Sequence, residues 1–336
     1  MRKFSYFFEM GSEHIPFVLD LQLASPTTSL IFIRNNLKNS SILADKEIIA
    51  DKIINLIVKS LKMKVYKSEF SGSFYPSNPH TLESMIADFL SRTDESAFNR
   101  ELFAVVVPHA GYIYSGQTAS YAYKLLAKEN PDFVIVMFPS HKFYFEGAFT
   151  ISEGTFSNPL GSISIGSDIT SKLIDNKLIF DKADLIVKEH SFDVQLPFIK
   201  TVLPNAAIVP LMICCDNLKI IDGIAEIMFE VLKSGNKKFV FVLSADLSHY
   251  HDYETASKLD KETIEAIMSL KNENMIPKHI ETCGKNPIMT AVSLMNKLNI
   301  KSENTALLHY SNSGDVTKNF DEVVGYASIA VFKDSL

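Results

Sequence analysis

The stretch Phe103-Ala-Val-Val-Val-Pro108-His109-Ala-Gly111 joins an apolar run to a polar turn. Five consecutive apolar residues predict a buried strand, and Pro108 ends it because proline has no N–H for a further ladder hydrogen bond. Ser115 is predicted to cap a helix that begins near Gly116. His109 then lies between a strand and a helix, where open α/β sheets place their sites. Taken alone, this histidine fits a structural role as well as a functional one.

Two further apolar runs end in the same way. Residues 133–138 are followed by His141, and residues 239–243 are followed by Asp246 and His249. If these strands are neighbours in a sheet, their carboxyl ends meet at one edge and the side chains converge there. Three imidazoles in this position favour a metal site over three unrelated capping histidines.

Cys283 is a fourth residue with the chemistry of a ligand. It precedes Gly284 and a helix predicted to begin near Pro287, and Lys285 is close by. A cysteine near a helix N-terminus and a cation is expected to have a lowered pKa, which makes a thiolate available for metal ligation or redox chemistry. The alternative is a small buried apolar residue, the role predicted for Cys214 and Cys215.

The segment from Glu189 to Gln195 is a further site candidate. Its Glu-His pair is followed by an acidic residue and an amide, a set that suits groups that orient ligands or bind substrate. The same residues are equally compatible with an ordinary helix start capped by Ser191.

The order of elements predicts an α/β fold. Continuous apolar strands separated by helices indicate a sheet covered on both faces, and late strands with short connections indicate that it is mixed. The predicted strands are 103–107, 133–138, 207–213, 239–243, 305–309 and 326–332. The predicted helices are 81–90, 116–128, 167–176, 218–233, 255–270 and 287–298.

Composition limits the class of protein. The net charge of −6 over 336 residues gives no basic surface, so neither nucleic acid nor an anionic membrane is an expected partner. Three cysteines are too few for a disulfide framework, and there is no run of 18 apolar residues. A soluble cytoplasmic protein is predicted. Residues 1–65 differ from the rest and are interpreted as an N-terminal extension of unknown role, with a helix predicted at 44–62.

Several short motifs, in this order, together resemble the Memo family, the MEMO1-like proteins that serve as the B component of AmmeMemoRadiSam systems. The matching motifs are Gly72-Ser-Phe-Tyr-Pro76, Pro108-His-Ala-Gly-Tyr112, Pro139-Ser-His141, Glu189-His-Ser191, Gln195-Leu-Pro-Phe198, Ser244-Ala-Asp246 with His249, and Cys283-Gly284. The resemblance runs from about residue 66 to the end, so residues 66–336 are expected to form one Memo-like domain.

The resemblance implies a fold and a pocket. The family is similar in fold to class III extradiol dioxygenases, with a mixed sheet between two helix layers (α/β/α) and a site at the strand ends. Its metal pocket corresponds to His109, His141 and Cys283. Lys142 stands where a second histidine is expected, so the pocket departs from the family pattern there.

Other roles are assigned around this pocket. Asp246 and His249 are predicted to be catalytic, and Tyr112 and His190 are predicted to bind substrate. Radical-SAM and AMMECR1-type proteins are the partners that the resemblance implies.

The ligand set separates the functional hypotheses. The dioxygenases hold Fe(II) with two histidines and a carboxylate, whereas Cys283 would supply a softer thiolate. One transition-metal ion is therefore expected, iron or copper foremost and zinc as the third choice. The first hypothesis is a metal-dependent redox enzyme acting on an unknown small molecule, with His249 as acid/base and Asp246 orienting it. The second is a non-catalytic metal-binding or interaction protein that acts with a radical-SAM partner. A zinc hydrolase would need a water-activating carboxylate, and only Asp246 offers one.

Overall fold

The computed structural model describes residues 3–8, 17–22, 64–94, 98, 100–233 and 235–333. The chain divides into two compact units, Met1–Met63 and Lys64–Leu336. In the first unit, strands β1 (Lys3–Phe8) and β2 (Phe17–Gln22) form an antiparallel pair. The helix predicted at 44–62 lies outside the described residues.

The second unit alternates strands and helices as the sequence predicts. Its strands are β3 (Val65–Lys67), β4 (Leu102–Val107), β5 (Phe133–Pro139), β6 (Ala148–Thr150), β7 (Thr155–Asn158), β8 (Gly161–Ser164), β9 (Ile179–Asp181), β10 (Ala207–Ile213), β11 (Phe239–Ser244), β12 (His249–His251), β13 (Thr305–Asn312) and β14 (Val323–Phe332). Its helices are α1 (Pro79–Ser91), α2 (Tyr112–Leu126), α3 (Ser167–Ile174), α4 (Ala183–Ile186), α5 (His190–Asp193), α6 (Leu196–Val202), α7 (Leu218–Lys233), α8 (Tyr253–Met268), α9 (Asn272–Met275), α10 (Lys285–Lys297) and α11 (Ser313–Thr317).

A nine-stranded mixed sheet forms the centre of this unit. Its order is β12-β14-β4-β11-β5-β10-β6-β9, with β13 paired to β14. The four central strands β4, β11, β5 and β10 are mutually parallel, while β14 runs antiparallel to its neighbours and β6 runs antiparallel to β10 but parallel to β9. The mixed sheet predicted from the sequence is confirmed. β3, β7 and β8 form a separate three-stranded sheet.

Helices cover both faces of the large sheet. Alternate strand residues such as Val105 and Val107 pack on one face against α1, α2 and α6. Val106 and its counterparts in the other central strands pack on the opposite face against α7, α8 and α10. Because both faces are buried, the central strands are apolar throughout rather than alternating. The result is the three-layer α/β/α arrangement.

The register of the central strands brings three strand ends to one edge. Val107 of β4 lies opposite Ser244 of β11, and Leu243 lies opposite Met137 of β5. His109 and Asp246, each two residues past this first pair, therefore face one another across the edge.

One predicted helix boundary is wrong. α2 begins at Tyr112 rather than near Gly116, and its N-cap is Gly111, not Ser115. The Ser115 hydroxyl instead donates back to the carbonyl of Ala110 from within the first turn. His109 is therefore only three residues from the helix start, which shortens the turn that carries it.

The Gly72–Pro76 motif is tied to the helix that follows the Glu-His pair. Asp193 is fully buried, and its carboxylate accepts hydrogen bonds from Tyr75, from Ser68 and from the backbone N–H of Glu69. Burial nevertheless raises the pKa of Asp193. The acidic residue of this segment thus anchors a loop rather than a ligand.

The two units offer a test of the domain boundary predicted at residue 65. β3 begins at Val65, and the Lys64 carbonyl accepts a hydrogen bond from Thr155. A chain shortened to begin at Lys64 should therefore fold and bind metal like the full chain, because it keeps β3 and all three predicted ligands. Thermal unfolding, gel filtration and metal content check this. Aggregation with increased binding of an apolar dye would show instead that the first unit completes the core.

Among the described residues, no helix combines the length and the apolar character that a membrane span requires.

Candidate metal centre

The three predicted ligands meet at the carboxyl edge of the sheet. His109, His141 and Cys283 each offer one donor atom, and these atoms all lie within 4.8 Å of one another. The two histidines follow β4 and β5, while Cys283 arrives on the loop before α10. Residues far apart in the chain thus form one group with two nitrogens and one sulfur.

His109 is buried and held on both sides of its ring. Nδ1 lies 2.9 Å from the Ser244 hydroxyl, and Nε2 lies 3.2 Å from the Cys283 sulfur. Burial, followed by the neighbouring rings of His190 and His141, lowers the pKa of His109 well below its ordinary value. Its imidazole is therefore neutral at physiological pH, the form that ligates a metal.

His141 is oriented by a buried carboxylate. Its Nδ1 lies 2.8 Å from Glu189 Oε1, and its backbone N–H donates to Glu189 Oε2 at 2.9 Å. An ionised carboxylate can only accept, so Nδ1 carries the proton and Nε2 is left for a ligand. This is the carboxylate–histidine arrangement that supports metal-bound histidines.

Glu189 remains ionised because of the groups around it. Burial alone would raise the pKa of Glu189, but hydrogen bonds from the rings of His141 and His190 and from the His141 N–H outweigh it. The pKa is held well below its ordinary value. A permanent negative charge therefore sits behind the two imidazoles.

His190 joins the site from the start of α5. Its Nδ1 lies 3.3 Å from Glu189 Oε1, and its ring centroid lies 4.4 Å from that of His141. The ring of Phe74 packs on it at 4.9 Å. His141, Glu189 and His190 also form a donor group of metal-binding dimensions. In this second group the Glu189 carboxylate is already engaged by the rings of both histidines, so His109, His141 and Cys283 remain the stronger candidate ligand group.

Cys283 departs from its expected protonation. Burial, and then the Asp246 carboxylate, raise the pKa of Cys283 well above its ordinary value, although the Asp246 backbone N–H donates to the sulfur at 3.2 Å. The lowered pKa expected from Lys285 and the helix start is therefore wrong. A Cβ on Gly284 would meet the Ala245 Cβ at 2.2 Å, so only glycine lets this loop approach the end of β11.

Asp246 does not orient His249 as predicted. Its carboxylate accepts hydrogen bonds from the backbone N–H groups of His109 and Ala110, and it makes none to the His249 ring. Burial raises the pKa of Asp246. Asp246 thus fixes the turn that carries His109, while His249 pairs through its backbone with Val324 at the sheet edge.

Tyr112 packs within the core. Its side chain is buried, and its hydroxyl donates to the Val194 carbonyl at 2.8 Å. The ring packs between Tyr75 and Phe198. Tyr112, which was predicted to bind substrate, is thus a core residue in the structure.

Two residues that hold His109 carried little signal in the sequence. Ser244 is a buried polar residue at the end of an apolar strand, and Gln195 is buried beside it. The Gln195 amide suggests an orienting role, whereas Ser244 is marked only by its polarity at the end of an apolar run and by its place in the Ser244-Ala-Asp246 motif.

The chain is similar to known proteins over most of its length. A family model described as "Memo-like protein" matches residues 67–330. A MEMO1 family protein of Methanococcus maripaludis strain C6 is 34% identical over 280 residues, covering 78% of this chain and 97% of its own length. A MEMO1 family protein of Thermoplasma volcanium is 31% identical over 272 residues, covering 79% and 97%. The crystal structure of an uncharacterized protein from Escherichia coli K12 aligns with 69% of this chain and 100% of its own, with a TM-score of 0.45 and 11% identity.

Proposed function

Because the chain belongs to the Memo family, we propose that it binds one transition-metal ion at the sheet edge and uses it in a redox reaction on a small molecule. The supporting observation is the meeting of His109, His141 and Cys283 within 4.8 Å. Three protein donors would leave a fourth coordination position of a tetrahedral metal for water or substrate.

The donor set indicates which ions fit. Two neutral imidazoles and a cysteine sulfur suit copper, iron or zinc, and not the hard oxygen-preferring cations. A bound iron or copper ion would supply one-electron chemistry at the carboxyl edge of the sheet. The protein itself would supply the ligands, their orientation and the groups that contact the substrate.

His190 and His249 are the two imidazoles left over for the substrate. His190 has its Nδ1 on Glu189 and is partly exposed, so its Nε2 can donate to or accept from a bound molecule. His249 is close enough to His109 and Asp246 to act on both of them electrostatically. We assign substrate binding to His190 and proton transfer to His249.

The role of His249 can be separated from ligation. His249→Ala should leave metal affinity within a few-fold of the wild type, because the ring is outside the donor group, while lowering turnover by roughly 10²–10⁴-fold, the usual contribution of an acid/base group. Metal titration and dioxygen consumption by the iron- or copper-loaded protein give the two readouts. Loss of the metal in this variant would place His249 among the ligands.

Metal binding should also release a proton. The raised pKa keeps the Cys283 thiol protonated at neutral pH, whereas a metal binds the thiolate. At pH values below the thiol pKa, metal affinity should therefore increase about tenfold for each unit by which the pH is raised. Calorimetry in buffers of different ionisation enthalpy should count one more proton released by the wild type than by Cys283→Ala. Equal counts would mean that the sulfur is not a ligand.

A second function is supported by the surface around the site. Tyr144 and Tyr250 are 66% and 73% exposed, and each lies within three residues of a site histidine. Exposed aromatic side chains are enriched at protein interfaces. A non-catalytic protein that presents its metal to a partner, such as a radical-SAM or AMMECR1-type protein, is therefore the alternative.

Oxidation-state measurements distinguish the two functions. Untagged protein purified without oxygen should contain iron or copper, and the ion should cycle reversibly when ascorbate and then ferricyanide are added. Paramagnetic resonance follows that change. Zinc as the native metal, or an ion that stays in one oxidation state, would contradict the redox function and favour the non-catalytic one.

A further inference from the structure

A buried polar network behind His109 has only one consistent arrangement of protons. It begins at Gln195, whose Nε2 lies 3.0 Å from the Pro108 carbonyl and 2.8 Å from the Ser244 hydroxyl. A carbonyl only accepts, so the atom facing it must be the amide nitrogen. The other amide atom, Oε1, then accepts from the Tyr123 hydroxyl at 2.8 Å. Both Gln195 protons are thus assigned, one to Pro108 and one to Ser244.

The Ser244 hydroxyl has three neighbours and one proton. The Ser191 carbonyl lies 2.6 Å away and can only accept, so the proton points there. Gln195 donates to one lone pair of the oxygen. The remaining neighbour is His109 Nδ1 at 2.9 Å, toward which the oxygen has only a lone pair left. His109 must therefore donate from Nδ1.

We propose that Ser244, held by Gln195, is a positioning residue that locks His109 in its Nδ1–H tautomer. A neutral imidazole carries one proton, so the lock leaves Nε2 with a free lone pair. Nε2 is the atom that faces Cys283. The role of this tautomer rests on the proposed function, because a metal ion would bind to the lone pair at Nε2.

The other side of the ring agrees with this tautomer. The Cys283 thiol at 3.2 Å can donate to an unprotonated Nε2. The nearest carboxylate oxygen, Asp246 Oδ2, is 3.9 Å from Nε2, too far to accept a hydrogen bond from it. A proton on Nε2 could therefore not be donated to Asp246. The unprotonated Nδ1 would then face a lone pair of the Ser244 oxygen, with no proton between the two atoms.

The two ligand histidines are therefore oriented in different ways. His141 donates to the charged Glu189, whereas His109 donates to a neutral hydroxyl whose own proton is directed elsewhere. Each arrangement leaves the Nε2 lone pair of its histidine free for a ligand. Loss of such an orienting group typically lowers metal affinity by about 10–100-fold.

The tautomer can be read directly without a metal. The full chain, labelled with ¹⁵N-histidine and treated with a chelator, is measured by long-range ¹H–¹⁵N correlation, and His109 is assigned by the signals lost in His109→Gln. We expect a protonated Nδ1 and an unprotonated Nε2. A proton on Nε2 overturns the inference.

Variants connect the tautomer to affinity, with Zn²⁺ as the probe. Ser244→Ala should give a mixed or reversed tautomer and bind Zn²⁺ about 10–100-fold more weakly. Ser244→Thr, which keeps the hydroxyl, should keep most of the Nδ1–H tautomer and most of the Zn²⁺ affinity. Ser328→Ala is the matched control, because the Ser328 hydroxyl is also fully buried and donates to a backbone carbonyl, that of Thr118. The control should keep the wild-type spectrum and affinity.

The outcomes separate this inference from the proposed function. A folded Ser244→Ala variant with wild-type tautomer and affinity overturns the lock, and so does an equal loss of affinity in Ser328→Ala. If Ser244→Ala does not fold, the wild-type spectrum still decides. Failure of the wild type to bind any metal would contradict the proposed function alone, since the tautomer is read in metal-free protein.

Discussion

Replacing any one of His109, His141 and Cys283 with alanine should reduce metal affinity by well over the roughly 10–100-fold that loss of an outer orienting group costs. Each supplies one donor to a group of three within 4.8 Å, so its loss removes a bond to the metal rather than a support for one. Competition titration with a chromophoric chelator measures the affinities, and elemental analysis measures the content.

Two control variants distinguish ligation from general damage. Cys215→Ala removes a buried thiol in the apolar core, and His279→Ala removes a largely exposed imidazole. Both should retain the metal. If all three ligand variants keep the wild-type metal stoichiometry and affinity, then His109, His141 and Cys283 do not form the metal site.

Glu189→Gln should be nearly as damaging to metal binding, although Glu189 is not expected to touch the ion. Both carboxylate oxygens accept hydrogen bonds, Oε1 from the His141 ring and Oε2 from the His141 backbone N–H. An amide has one acceptor, so either orientation sets an NH₂ group against a donor. We expect about 10–100-fold weaker metal binding and a loss of about 1–3 kcal/mol in the free energy of unfolding.

A surface pair provides the matched control for Glu189. His251 and Glu281 lie 2.9 Å apart, with side chains 33% and 36% exposed. Glu281→Gln should change stability by less than about 1 kcal/mol, because solvent screens such pairs, and should leave metal affinity unchanged. Urea unfolding and metal titration of both variants provide the comparison. Similar behaviour of the two variants would refute the special role of Glu189.

The central strands were predictable because their burial leaves a direct mark on composition. Five apolar residues before Pro108 and six before Pro139 could not form an exposed or alternating element. The order β4-β11-β5 was not predictable, since nothing local in a buried parallel strand specifies its neighbour. The convergence of His109 and His141 depended on that order and required the structure.

The site features that the sequence did not predict depend on the three-dimensional surroundings of individual side chains. Lys285 and the helix start favoured a thiolate at Cys283, but burial and the Asp246 carboxylate dominate its pKa. Tyr112 lies within a site motif, yet the early start of α2 turns it into the core. Ser244 was missed because its contact with His109 spans 135 positions of the chain. The residues next to a side chain in the sequence show neither how deeply it is buried nor which distant residue it contacts.

X-ray absorption at the metal edge identifies the atoms that ligate the ion. The sample is untagged protein, purified without oxygen and loaded with one equivalent of Zn²⁺. If His109, His141 and Cys283 bind the ion, the spectrum contains one sulfur neighbour at about 2.3 Å together with nitrogen neighbours at about 2.0–2.1 Å, and the sulfur is lost in Cys283→Ala. A wild-type spectrum without sulfur, or a sulfur that persists in Cys283→Ala, would contradict this ligand set.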